Sequence, residues 1–164
     1  MKHLYAPWRQ SYVTQPKNNN DDKQKCVLCE KLQSNNDKEN LVLKRFKSCA
    51  VIMNLYPYNT GHLLILPYKH KASLSDLTQE TRAELMEVTS LSLEVLKSTL
   101  KAHGVNVGIN FGNVSGGGLS DHLHIHAIPR WKGDTNFLAI TGETKVVSVS
   151  IEEVYELLLK AFKE

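Results

Sequence analysis

The chain has 164 residues, 41% of them hydrophobic and 23% charged, the composition of a globular domain with enough core to fold unaided. Lys and Arg number 20 against 17 Asp and Glu, a net +3 that is too even to argue for a nucleic-acid or membrane partner. No apolar run approaches the roughly 20 residues needed to span a bilayer. Residues 1–12 lack the apolar centre of a signal peptide, and three cysteines (Cys26, Cys29, Cys49) argue for a reducing, cytoplasmic setting rather than a disulfide framework.

The N-terminal arm closes on Asn18-Asn19-Asn20-Asp21-Asp22-Lys23. Such a polar tract buries too little apolar area to order itself, so residues 1–25 read as an arm with a flexible linker and 26–164 as a single domain. Cys26-Val-Leu-Cys29 comes next, then a second polar patch at Ser34-Asn35-Asn36-Asp37-Lys38. Leu41 to Arg45 and Cys49 to Asn54, rich in Val, Ile and Leu, predict two strands. Tyr56 to Gly61 supplies Pro, Asn and Gly for a turn, and His62 to Leu66 predicts a short strand stopped by Pro67.

From Leu77 to about His103 the period becomes helical, carried by Leu85, Val88, Leu91, Val95 and Leu96, with Gly104 at the expected stop. Val105 to Phe111 and His122 to Ile128 predict strands flanking a glycine loop, Gly116-Gly117-Gly118. Ser150-Ile-Glu-Glu153 fits a capping box, and Ile151, Val154, Leu157, Leu158, Ala161 and Phe162 predict a second amphipathic helix behind it. Strands joined by short turns, with two separate helices, predict an α+β fold with a mainly antiparallel sheet of about five strands.

His122-Leu-His124-Ile-His126 sets three of seven histidines at alternate positions. On a strand they share one face, leaving Leu123, Ile125 and Ala127 for a core. Residues two apart on a strand are separated by about 6.6 Å and four apart by about 13 Å, so one small phosphate cannot meet the first and third rings equally. The stripe therefore divides its labour. Satisfied histidines on a polar face are one reading, though three in register beside a glycine loop count against it. A metal held by two histidines at i and i+2 is another. Phosphate chemistry is the third, because Gly112, Gly116, Gly117 and Gly118, with Asn110, Asn113 and Ser115, offer backbone N–H groups and little bulk.

The pattern His122-Leu-His124-Ile-His126-Ala-Ile128 resembles the signature of the histidine triad (HIT) superfamily of nucleotide hydrolases and transferases. Asn54-Leu-Tyr-Pro-Tyr-Asn-Thr-Gly61-His62, Leu66-Pro67-Tyr-Lys-His70 and Asn110-Phe-Gly-Asn-Val-Ser-Gly116 agree in order and spacing. Tyr5-Ala-Pro-Trp8-Arg9 and Pro129-Arg130-Trp131-Lys-Gly-Asp134-Thr-Asn136-Phe137 resemble the branch containing diadenosine tetraphosphate phosphorylase, beside the fragile-histidine-triad-like hydrolases.

The resemblance implies roles. His124 would attack the α-phosphorus of a diadenosine polyphosphate to form a nucleotidyl-histidine. His126 would stabilise developing charge, and His62 would reach the same pocket. Asn54 would hold the ribose hydroxyls, although alone it reads as a strand-end turn residue. Asn110, Gly117, Gly118 and Ser120 would line the phosphate site. Family members with Cys-x-x-Cys bind a structural zinc, which by position implies Cys26, Cys29, His70 and His122 as ligands. Mg²⁺ or Mn²⁺ would travel with the substrate phosphates, and a homodimer is implied. Cys49 reads as a small buried residue.

One departure stands out. The glutamine and Ser or Thr that many relatives carry before the triad are replaced by Gly117-Gly118-Leu119-Ser120-Asp121. Ser120 or backbone amides would take over those phosphate contacts. A histidine at 126, where the transferases of the family often have glutamine, favours hydrolysis. Trp131 to Phe137 favours phosphorolysis. Trp8, Arg9, Arg130 and Trp131 read equally as a stacking and phosphate-binding set or as packing of the arm and strand end. The rivals to this enzyme are a nucleotide-binding interaction or signalling protein with little turnover, a hydrolase of adenosine phosphoramidate-type nucleotides, and a metalloenzyme with its catalytic ion on the stripe.

Overall fold

The computed structural model describes residues 26–112, 114, 115, 118–134 and 149–163. The predictions that concern residues 1–25, Trp8 and Arg9 among them, and those on Asn113, Gly116, Gly117, Asn136 and Phe137, lie outside these residues. The chain divides into two compact units, and all the elements named below belong to the one whose described residues are 26–132 and 149–163.

Strand β1 (Val42–Arg45) is followed by β2 (Cys49–Met53) and β3 (Leu63–Pro67), both of which are buried at every position. Continuous apolar runs suit strands covered on both faces. Successive side chains diverge accordingly. Cys49, Val51, Met53, Leu63 and Ile65 enter one core, while Ala50, Ile52, Leu64 and Leu66 enter a second on the opposite face. With β4 (Gly104–Ile109) and β5 (Ile125–Arg130), the strands form one antiparallel sheet in the order β1-β2-β3-β5-β4.

Three helices flank it. The short α1 (Val27–Gln33) contributes Leu28 and Leu32 to the second core. The long α2 (Gln79–Leu100) and the C-terminal α3 (Ile151–Ala161) cover the first. Thr78 caps α2 by accepting from Thr81 N–H, and Lys101, in the left-handed conformation, ends it. The capping box predicted for α3 is present in both directions between Ser150 and Glu153. The α+β class and the five-stranded antiparallel sheet are as predicted. Among the described residues no helix is long and apolar enough to cross a membrane.

The structure corrects four details. Leu91 and Leu157 are exposed, because the inward stripes run through Leu85, Val88, Thr89, Ser92, Val95 and Leu96 on α2 and through Val154, Tyr155, Leu158 and Phe162 at α3. The seven-residue α1 has no counterpart in the sequence reading. The last strand begins at Ile125 rather than His122, so the first two histidines of the stripe precede the ladder.

Candidate active site

Alternation along β3 and β5 sends His62 and His126 to the face opposite Leu63, Ile65, Ile125 and Ala127. The register Leu63↔Ala127 and Leu64↔His126 then brings the two imidazoles together. His62 Nε2 lies 2.9 Å from His126 Nδ1, and the ring centroids are 5.1 Å apart. Backbone partners fix the direction of this bond. The Tyr58 N–H can only donate, and it meets His62 Nδ1 at 3.2 Å. Neutral His62 therefore carries its hydrogen on Nε2 and donates to His126 Nδ1. The Asn54 amide nitrogen stands 3.2 Å from the same His62 Nδ1, while its oxygen accepts from Tyr56 N–H. His126 is left with its hydrogen on Nε2, where the Asn110 amide nitrogen stands 3.3 Å away. Two donors cannot bond each other, so the Asn110 amide is assigned with its oxygen on this side, accepting from His126 Nε2–H.

His124 is set by a different backbone group. Its Nδ1 is 2.8 Å from the carbonyl oxygen of His122, which can only accept. The hydrogen sits on Nδ1, and Nε2 keeps its lone pair. The ring lies edge-on to His126, with centroids 4.8 Å apart. A neutral imidazole with one nitrogen tied and the other free is chemically a nucleophile or a base.

His122 turns elsewhere. Its Nε2 donates to the carbonyl of Pro67 at 2.8 Å, and its Nδ1 lies 3.4 Å from both Cys26 Sγ and Cys29 Sγ. Cys29 Sγ is also 3.4 Å from His70 Nδ1. All four candidate ligand atoms fall within 4.8 Å of one another. In a tetrahedral Cys2His2 zinc site, bonds near 2.3 and 2.0–2.1 Å place neighbouring S and N atoms about 3.5 Å apart. The donor set and its spacing fit such an ion. Helix α1 begins between the two cysteines, so the chelate loop is one helical turn. Burial first, and the Cys26 thiol second, push Cys29 up to about 11; a bound cation reverses that tendency by stabilising the thiolates.

Burial also keeps the imidazoles uncharged. His62 is pushed down to about 3, chiefly by burial and further by the His126 and His124 rings. His124 is lowered by burial against the opposing bond to the His122 carbonyl. His122 is lowered by burial against the opposing bond to Pro67.

The structure brings together His62, His124, His126, Asn54 and Asn110 on one side, and Cys26, Cys29, His70 and His122 on the other. The stripe divides between them, as the distance argument required. Ser120 donates its hydroxyl to Asp121 Oδ1 at 3.0 Å, and Gly118 is an exposed loop residue. Arg130 bonds Asn106 Oδ1 at 3.0 Å, and the Trp131 indole donates to the Leu100 carbonyl at 3.1 Å, both contacts of the strand end. Cys49 is fully buried, as read. Sequence reasoning missed Tyr58, whose amide orders the His62–His126 pair and whose ring stacks on His126 at 5.9 Å. It also missed the Pro67 carbonyl. The first lay in the turn residues Tyr56 to Gly61; the second had no sequence signal beyond the strand stop.

Comparison with known proteins agrees with this geometry. The HIT domain family model matches residues 35–133. The AP-4-A phosphorylase of Mycobacterium tuberculosis (strain CDC 1551 / Oshkosh) is 37% identical over 161 residues, covering 96% of this chain and 83% of the relative. The asymmetrical bis(5'-nucleosyl)-tetraphosphatase of Schizosaccharomyces pombe is 34% identical over 93 residues, 57% of this chain and 50% of that protein. Among solved structures, a Zn-bound histidine triad family protein from Mycobacterium smegmatis shares the fold, with TM-score 0.66 and 24% identity over 85% of this chain and 94% of that one. With the family model spanning well over half of the sequence and the triad assembled in space, this chain belongs to the HIT-domain family.

Proposed function

We propose that this protein cleaves a diadenosine polyphosphate, with diadenosine tetraphosphate as the favoured substrate, through a nucleotide transiently bonded to His124. The observation that carries the reading is the bond from His124 Nδ1–H to the His122 carbonyl, which leaves Nε2 free to attack phosphorus. Attack at an α-phosphorus forms an N–P bond and releases ATP. Inorganic phosphate then takes the adenylyl group to give ADP, or water takes it to give AMP. His126 Nε2–H, held by the Asn110 side chain, is the donor that would turn to a phosphoryl oxygen and stabilise charge that develops there. His62 acts through His126 by fixing which of its nitrogens donates. Asn54 is given the ribose hydroxyls. Backbone amides near Gly117 and Gly118, with Ser120, replace the missing glutamine. The bond from Ser120 to Asp121 leaves the serine oxygen an acceptor, so the amides are the better phosphate donors.

Phosphorolysis is favoured over hydrolysis by the 37% identity to a protein named AP-4-A phosphorylase along nearly the whole chain. The match to a tetraphosphatase, over 57% of the chain, keeps hydrolysis as the second reading. Zn²⁺ on Cys26, Cys29, His70 and His122 is part of the proposal, supported by the ligand spacing; the ion supplies fixed geometry rather than reaction chemistry. Mg²⁺ or Mn²⁺ would neutralise the substrate phosphates. A cytoplasmic homodimer completes the reading; among the described residues β4 pairs on one side only, an edge that a second copy could cover.

Product analysis decides between the readings. Incubated with diadenosine tetraphosphate, the protein is expected to yield ADP and ATP only when inorganic phosphate is present. AMP and ATP without phosphate would establish the hydrolase instead, and no product under either condition would defeat both.

A further inference from the structure

We propose that the Cys26–Cys29–His70–His122 cluster, when it holds Zn²⁺, is a positioning device for the nucleophile, making turnover depend on an ion that touches no substrate. The inference rests on the functional reading above for the identity of the nucleophile.

The geometry starts from where the sheet stops. Pairing of β5 with β3 and with β4 ends at Ile125 in both ladders. His122, Leu123 and His124 therefore carry the chemistry without ladder bonds to hold them. Other contacts fix this segment. Leu123 N–H donates to the Lys71 carbonyl at 2.7 Å. His122 Nε2 donates to the Pro67 carbonyl at 2.8 Å. The remaining ring nitrogen of His122 faces both cysteine sulfurs at 3.4 Å. Those sulfurs sit at the N-cap and in the first turn of α1, whose Leu28 and Leu32 pack into the second core. His70 joins the same cluster one residue before Lys71, so the ion would clamp both strands of the chain that meet at the Lys71–Leu123 bond.

The clamp reaches the nucleophile through one atom. The His122 carbonyl oxygen accepts from His124 Nδ1–H at 2.8 Å. The direction of a carbonyl follows the backbone dihedrals on either side of it, and here the residue before that peptide unit is held by its ring and the residue after it by its N–H. A fixed carbonyl selects the Nδ1–H form of the imidazole and leaves Nε2 with its lone pair. A carbonyl free to turn selects neither form, and an imidazole with its hydrogen on Nε2 cannot attack. Partners one step beyond a site of this kind typically change activity 10- to 100-fold.

The test uses the full chain with side-chain ¹⁵N-labelled histidine, His124 being identified by its absence from the spectrum of His124→Gln. With Zn²⁺ bound, His124 is expected to show a single Nδ1–H form. On chelation that signal should become a mixture of the two forms, kcat for diadenosine tetraphosphate should fall roughly 10- to 100-fold with KM little changed, and added Zn²⁺ should restore both. Chelated protein that stays folded with His124 still wholly Nδ1–H would overturn the proposal. If chelation unfolds the protein, His70→Ser weakens the cluster at its exposed ligand without touching residues 122–124. In that variant kcat and the Nδ1–H signal should rise together as Zn²⁺ is titrated. Thermal stability rising with Zn²⁺ while both stay flat, or no Zn²⁺ binding at all, would sink the idea. The tautomer readout needs no substrate, so it separates failure of this inference from failure of the proposed reaction.

Discussion

Single imidazoles differ here because each meets a different backbone group. His124 donates to a carbonyl, whereas His62 accepts from an amide, and that contrast makes one a nucleophile candidate and the other a donor to its neighbour. Replacing His124 by Ala is expected to lower kcat by about 10³-fold or more, since removing a nucleophile leaves only the electrostatic and binding contributions. Nucleotide binding, measured by calorimetry, should persist. Wild-type turnover in that variant would end the assignment. A second expectation concerns acid. His62 binds its proton near pH 3 in the fold, against about 6.5 in an unfolded chain. Between those values the unfolded chain takes up the proton and the native one does not. Stability should be full above pH 6.5 and decline as pH falls towards 3, with His122 and His124 adding in the same direction. Urea unfolding at several pH values checks this; a flat profile from pH 7 to 4 would contradict it.

Elements bring those residues within reach, and some were easier to read than others. The α3 helix was legible because its start is local: Ser150 and Glu153 form their reciprocal bonds three residues apart. Ser150→Ala should cost about 1 kcal/mol of stability in denaturant titrations. The short α1 was not legible, since Cys26 at its N-cap makes no side-chain capping bond and seven residues carry little periodicity. The start of β5 was misplaced for a tertiary reason. His122 to Ile128 alternates like a strand throughout, but the first three residues make no ladder pairs: the His122 ring bonds the Pro67 carbonyl, Leu123 N–H bonds Lys71, and the His124 ring bonds back to His122. Spacing alone implied that the stripe divides, and the resemblance to the HIT family implied which histidine goes with the cysteines; the ring nitrogen each one uses was not legible, because non-local backbone groups decide it. The turn before β3 carries a third prediction. Gly61 has φ +74°, and a Cβ there would overlap the Leu100 side chain. Gly61→Ala is expected to destabilise by about 1–3 kcal/mol and to disturb the adjoining His62. Unchanged stability with unchanged kcat would show that the turn adapts.

Across the whole molecule, the sheet separates support from chemistry. Helices α2 and α3 cover one face, while the opposite face carries α1, the cysteine–histidine cluster and the His62–His126 pair. Exchanging both Cys26 and Cys29 for Ser should lower the midpoint of thermal unfolding more than it lowers nucleotide affinity, because neither cysteine touches the His62–His126 pair. Metal analysis of the wild type provides the control, one Zn²⁺ per chain being the expected stoichiometry.

The last turn of α2 is also a junction. The Leu100 side chain packs where Gly61 leaves no Cβ, and the Leu100 carbonyl receives the Trp131 indole just past the end of β5. One residue therefore braces the approach to His62 and the exit from the strand bearing His126. A slip of that helix along its axis would drag both imidazoles in concert, so their spacing depends on a helix packed against the other face of the sheet.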